Sequence, residues 1–128
     1  MSDHALLILR LAAGLGLASH GYVAIVDGGV DAIENFADYL ESLDLPAPLI
    51  LAWAAKITEL AGGALVALGF ITRPAAFMCA ATMLVAMLTA HLGDPFTKWE
   101  LALLYFASMS VISMCGAGRY SLDAKRRR

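Results

Sequence analysis

The sequence predicts an all-α protein, a four-helix transmembrane bundle with a short amphipathic helix between the first and second spans. Three observations point there. Four apolar stretches approach the length a helix needs to cross a bilayer, roughly 20 residues. The composition is 60% hydrophobic and 16% charged, against roughly 45–50% and about 25% in soluble domains. Lys and Arg also collect on alternate connections, as they do when a chain crosses a membrane repeatedly.

The first span runs from about Ala5 to Val26. It does not read as a cleaved leader, because its start carries Asp3 without a basic residue and Arg10 interrupts the apolar run. Over residues 30–43, Val30, Ile33, Phe36, Ala37, Leu40 and Leu43 recur at helical spacing, with Asp31, Glu34, Asn35, Asp38 and Glu41 on the other face. This pattern predicts an interfacial helix lying as a lid over the mouth of the bundle. Pro46 and Pro48 open the second span, about Ala47–Ile71, and Thr72-Arg73-Pro74 turns into the third, about Ala75–Leu92. Gly93-Asp94-Pro95 separates the third from the fourth, about Trp99–Cys115, which Gly116-Ala117-Gly118 ends. Residues 1–123 form one transmembrane domain, and 124–128 form a basic tail.

Orientation follows from charge. The N-terminus, the 72–74 turn and the tail share one side, which holds Arg73, Arg119, Lys125 and Arg126–Arg128; the other side has Lys98 and six acids between Asp27 and Asp44. Both termini are therefore expected in the cytoplasm. The terminal basic run reads as an orientation signal, and no nucleic-acid partner is expected. Cys79 and Cys115 sit in apolar segments without C-x-x-C spacing and read as small core residues, a redox pair on adjacent helices being the other reading.

Ionisable groups inside spans are costly, roughly 2.5–3.5 kcal/mol each on insertion scales, and commonly carry function. Arg10, His20, Lys56, Glu59 and His91 qualify, with Glu100 just inside the fourth span. Counting helical rise puts His20, Lys56 and His91 in the outer half and Glu59 near mid-membrane. Arg10 starts nearer the inner face, with a side chain long enough to reach towards Glu59. Lys56, Glu59 and Gly63 share one face of the second helix, and Ala12, Gly16 and His20 form a small-residue stripe on the first. Two readings stay open: a buried ionic network that fixes helix order, or a ligand site in which His20, His91 and Glu59 exchange protons. Facing histidines also allow haem. No zinc motif, phosphate loop or dinucleotide fingerprint occurs.

Several runs, taken in order, resemble the DoxX family. They are Leu9-Arg10-Leu11, Ser19-His20-Gly21, Glu59-Leu60-Ala61-Gly62-Gly63, Gly69 to Ala76, Ala90-His91, and Gly116 to Asp123. The resemblance implies a four-helix bundle in a bacterial or archaeal plasma membrane. It also implies links to quinone- or thiol-based redox and oxidative-stress systems, since one member is the membrane subunit of a thiosulfate:quinone oxidoreductase. A quinone cofactor and a soluble or membrane oxidoreductase partner are thus expected. Other members imply the alternative, a non-catalytic anchor, assembly factor or chaperone. Lys56 departs from the family pattern, and homo-oligomerisation is left open by the small-residue stripe.

Overall fold

A computed structural model describes residues 1–91 and 93–128. The protein is all-α, with six helices among the described residues. Helix α1 spans Asp3–Asp27 and α3 Pro48–Leu68; both are long and apolar enough to cross a membrane. Between them lies α2, Gly29–Ser42. The remaining helices are α4 (Thr72–Leu88), α5 (Phe96–Cys115) and the short α6 (Leu122–Arg126).

Local chemistry sets these limits. Ser2 caps α1 by accepting from the Ala5 amide at 3.2 Å. Gly29, at φ 66°, turns the chain from α1 into α2. Proline opens α3, and Gly69 closes it in the left-handed conformation. That glycine ends α3 at Leu68, three residues before the apolar run stops. Helix α4 begins at Thr72 and ends at Leu88, four residues short of the predicted third span; Leu92 lies outside the described residues. Two segments are π-wound, Val23–Asp27 at the end of α1 and Thr58–Gly62 inside α3.

The four long helices alternate in direction. The Arg119 amide donates to Asp3 at 3.0 Å and the Thr72 amide to Asp123 at 2.9 Å. These bonds gather the start of α1, the α3–α4 turn and the C-terminal segment at one end. At the other end, the Tyr39 hydroxyl of α2 donates to the Ala90 carbonyl at 2.8 Å.

The core is formed where these helices meet. Leu17, Val66, Ala76, Cys79, Met109 and Ile112 are among its buried residues. Helix α1 lies on α3 almost backbone to backbone. A Cβ on Gly14 would come within 2.7 Å of the Gly63 carbonyl oxygen, and one on Gly63 within 2.6 Å of the Ala18 amide. The predicted stripe of Ala12, Gly16 and His20 is therefore not this seam. Ala12 is exposed, and Gly16 faces the Tyr105 hydroxyl of α5.

The outer faces are apolar. Ile8, Ile50, Phe77 and Met114, on α1, α3, α4 and α5, are 63% exposed or more. Only 33% of the apolar stretch of α1 and 28% of that of α3 is buried. Core helices of a soluble protein would be mostly covered, so these faces belong against lipid. Helix α2 has the predicted amphipathic form. Its Ile33, Ala37 and Leu40 pack on Ala52 of α3, while Val30, at the edge of the predicted stripe, is exposed.

Candidate functional site

Beneath α2 lies a cavity of about 710 Å³. All four long helices and α2 contribute to its walls. The first turns of α3 pack mainly on α2, whereas α4 meets α3 from the π turn onward. Between them the α2 end of the bundle stands open, with exposed Leu51, Met78 and Val85 on its walls. The cavity is thus apolar-walled and reaches the apolar outer surface.

Four of the six predicted site residues line it: His20, Lys56, Glu59 and His91. Glu59 sits in the π turn of α3 and is 8% exposed. A π turn carries one extra residue per turn and redirects the side chains it holds, which is why such turns recur at functional sites. Gly62 and Cys79 accommodate it: the Cys79 thiol lies 3.7 Å from the Thr58 carbonyl, and a Cβ on Gly62 would strike that sulfur. Lys56 lies one turn before Glu59, its Nζ 3.3 Å from Oε2. The same ammonium stands 4.8 Å from the centroid of the Phe36 ring of α2. One cation thus joins the buried carboxylate to the lid.

His20 and His91 occupy different parts of the lining. His20 meets Tyr105 of α5 edge to face, with ring centroids 5.9 Å apart. His91 lies at the mouth, its Nδ1 3.3 Å from an Asp94 carboxylate oxygen. Tyr105 and Asp94 both line the cavity, and neither stands out as an ionisable site residue in the sequence. Tyr105 was detectable as a hydroxyl in the middle of an apolar span, whereas Asp94 reads as ordinary turn punctuation.

Arg10 and Glu100 are not part of this site. Glu100 is exposed and does not line the cavity; the α5 face that does carries Leu101, Ala102 and Tyr105. Arg10 is 1% exposed and points to the other end. Its guanidinium donates to the carbonyls of Ala117, Tyr120 (2.9 Å) and Ala67 (3.3 Å). Ala67 belongs to the last turn of α3, and Ala117 follows the end of α5. Carbonyls left over at helix C-termini carry partial negative charge, so the buried cation is held by backbone dipoles instead of a carboxylate. The expected reach towards Glu59 does not occur.

The C-terminal segment completes this second polar cluster. Asp123 accepts from the amides of Ile71 (2.9 Å) and Thr72 (2.9 Å) and from the Thr72 hydroxyl (2.7 Å). Its own amide donates to the Gly69 carbonyl at 2.8 Å. Burial alone would raise the carboxyl's pKa; the Thr72 and Ile71 bonds and the nearby Arg126 outweigh it, and the net value is lowered. Cys79 and Cys115 are both free thiols, the first buried against α3 and the second exposed. No group of three or more His, Cys, Asp or Glu side chains is placed to hold a metal among the described residues.

An apolar-coated all-α protein with a cavity in one half is the architecture of a small membrane protein. The chain belongs to the DoxX family, whose model matches residues 5–92. That match contains every residue from Arg10 to His91 discussed above, whereas the Gly116–Asp123 run lies beyond it. No curated protein and no solved structure matches the chain.

Proposed function

We propose that the protein is a four-span protein of a bacterial or archaeal plasma membrane that binds a quinone in the cavity under α2. One observation carries this reading: an apolar cavity of about 710 Å³, opening on the lipid-facing surface, contains His20, Lys56, Glu59 and Tyr105. Ligand pockets are commonly about 300–1,000 Å³, mostly apolar, with a few converging polar groups. A lipophilic ring with a carbonyl at each end suits such a lining. His20 and Tyr105 offer donors to one carbonyl oxygen and His91 to the other, with Glu59 as a further proton-exchanging group. Reduction of a quinone to a quinol takes up two electrons and two protons. The protons pass through these side chains, and the electrons come from an oxidoreductase partner.

The topology is part of the proposal. In this reading α1, α3, α4 and α5 all span, and both termini lie in the cytoplasm. The basic residues Arg73, Arg119 and Lys125–Arg128 belong to the end where the termini meet, while acidic α2 caps the other.

The test is to purify the protein in mild detergent and measure co-purified quinone by mass spectrometry, then titrate a short-chain quinone. His20→Ala and Tyr105→Phe should each weaken binding about tenfold, the loss of one hydrogen bond to the ligand. Absence of quinone, with affinity for added quinone the same in both variants, would leave an anchor or assembly role. A Soret band would point to haem instead.

A further inference from the structure

A second cavity, about 370 Å³, lies at the end of the bundle where the termini meet. It is formed by the start of α4, the Gly116–Gly118 turn and the tail. Its charged lining residues are Arg73, Arg119, Arg127 and Asp123. Asp123 is already engaged by the Ile71 and Thr72 groups and faces Arg126 at 3.9 Å. Among the described residues, none of the three lining arginines has a carboxylate within ion-pair distance. Three exposed arginines therefore line a cavity whose one lining carboxylate, Asp123, is already engaged elsewhere.

The backbone at Gly116 makes room for one of them. Gly116 has φ 85°, and a Cβ on it would lie 3.1 Å from the Arg73 Nε, so glycine lets that arginine lie along the turn. Arg119 is anchored to α1 through its amide, which donates to Asp3 at 3.0 Å, and its guanidinium lies 5.9 Å from the centroid of the Tyr120 ring at the edge of the cavity. Guanidinium forks match the oxygens of phosphate in pairs.

The rim says what bears the phosphate. Phe77, one turn beyond Arg73, is 63% exposed, and Met114, beside Cys115, is 74% exposed. Both extend the apolar coat of the bundle up to the basic cavity. A phosphodiester seated among the arginines would lay its acyl chains along that coat.

We propose that this cavity binds a phosphate group, the headgroup phosphodiester of an anionic membrane lipid, through Arg73, Arg119 and Arg127. The inference rests on membrane placement and is independent of the quinone reading, because it uses none of the residues of the large cavity.

The test uses the full chain in a neutral detergent, followed by native mass spectrometry with added phosphatidylglycerol or phosphatidylcholine. The wild type should retain phosphatidylglycerol in preference. Arg119→Gln and Arg127→Gln should each cut that preference about fivefold, and combination with Arg73→Gln should bring it to parity. Arg119→Gln keeps the amide bond to Asp3, and unchanged helicity and melting temperature would show the fold intact. Arg119→Lys, which retains charge without the fork, should fall between. Equal retention of both lipids by the wild type, or undiminished preference in the folded triple variant, would overturn the proposal. Binding of inorganic phosphate that depends on the arginines, with no lipid preference, would overturn the lipid as bearer.

Discussion

Asp123 acts as the first-turn cap of a helix that has none of its own. Residue Ile71 precedes α4 at φ 42°, a conformation that β-branched residues rarely adopt, and its side chain offers the helix no acceptor. Asp123 accepts instead from the Ile71 amide, 52 residues away, and from the Thr72 amide and hydroxyl, 51 away. Asp123→Ala should cost about 1–2 kcal/mol of stability, read by thermal unfolding in detergent. The folded pKa is lowered from 3.8, so the carboxylate stabilises fully above that unfolded value. Its contribution falls away as the pH drops through the lower folded value. Asp123→Asn should remove that acid-dependent part of the melting curve. Arg10→Met should be more severe, about 3 kcal/mol, since it strips carbonyls of Ala67, Ala117 and Tyr120 of their donor. Quinone affinity should stay within a factor of about two, because Arg10 lies outside the large cavity. At this scale the sequence is legible by type and not by partner. An arginine and a glutamate in the same bundle invite pairing, but the carbonyls at two helix ends are not visible in composition and they hold Arg10. Lys56 with Glu59 is visible, because three residues of helix make the pair local.

Helix α3 is the element on which the site depends, and its π turn is the part that spacing does not reveal. Hydrophobic runs predict where a helix lies to within a few residues, and glycine and proline trim the ends, as Gly69 does at Leu68. They say nothing of how tightly each turn is wound. The α1–α3 seam is similar: small residues were evident on both helices, yet Gly14, Ala18 and Gly63 make the contact, while Gly16 faces Tyr105. Rotation of a helix about its axis is decided by its neighbours. Gly63→Ala should therefore cost about 1–3 kcal/mol through overpacking, whereas Ala12→Leu, on an exposed face, should change the melting temperature little. Thermal unfolding of the two variants side by side distinguishes the seam from the predicted stripe. Helix α2 was the most readable element, because its acidic and apolar faces alternate cleanly over three turns.

The whole molecule has two unlike ends. One is acidic and carries the lid and large cavity; the other is basic and knits both termini to the α3–α4 turn. This polarity was legible from the order of charges alone, since Lys and Arg positions need no packing to interpret. The proposed topology makes a direct prediction, read in a Cys79→Ser, Cys115→Ser background. Asp38→Cys in α2 should react with an impermeant maleimide added to intact cells, and Lys125→Cys should react only after the membrane is opened. The reverse labelling pattern would invert the orientation.

Helix α4, at 17 residues, has a length of about 26 Å at the usual rise, while the hydrocarbon layer is roughly 30 Å thick. It also forms one wall of the open side of the bundle. In the proposed topology, where α4 spans the bilayer, that flank would draw the two leaflets towards each other, at a cost of fractions of a kcal/mol per ångström. Two molecules that turn this flank towards each other share one dent instead of making two. In the proposed four-span topology, membrane elasticity would therefore reward bringing two such flanks together.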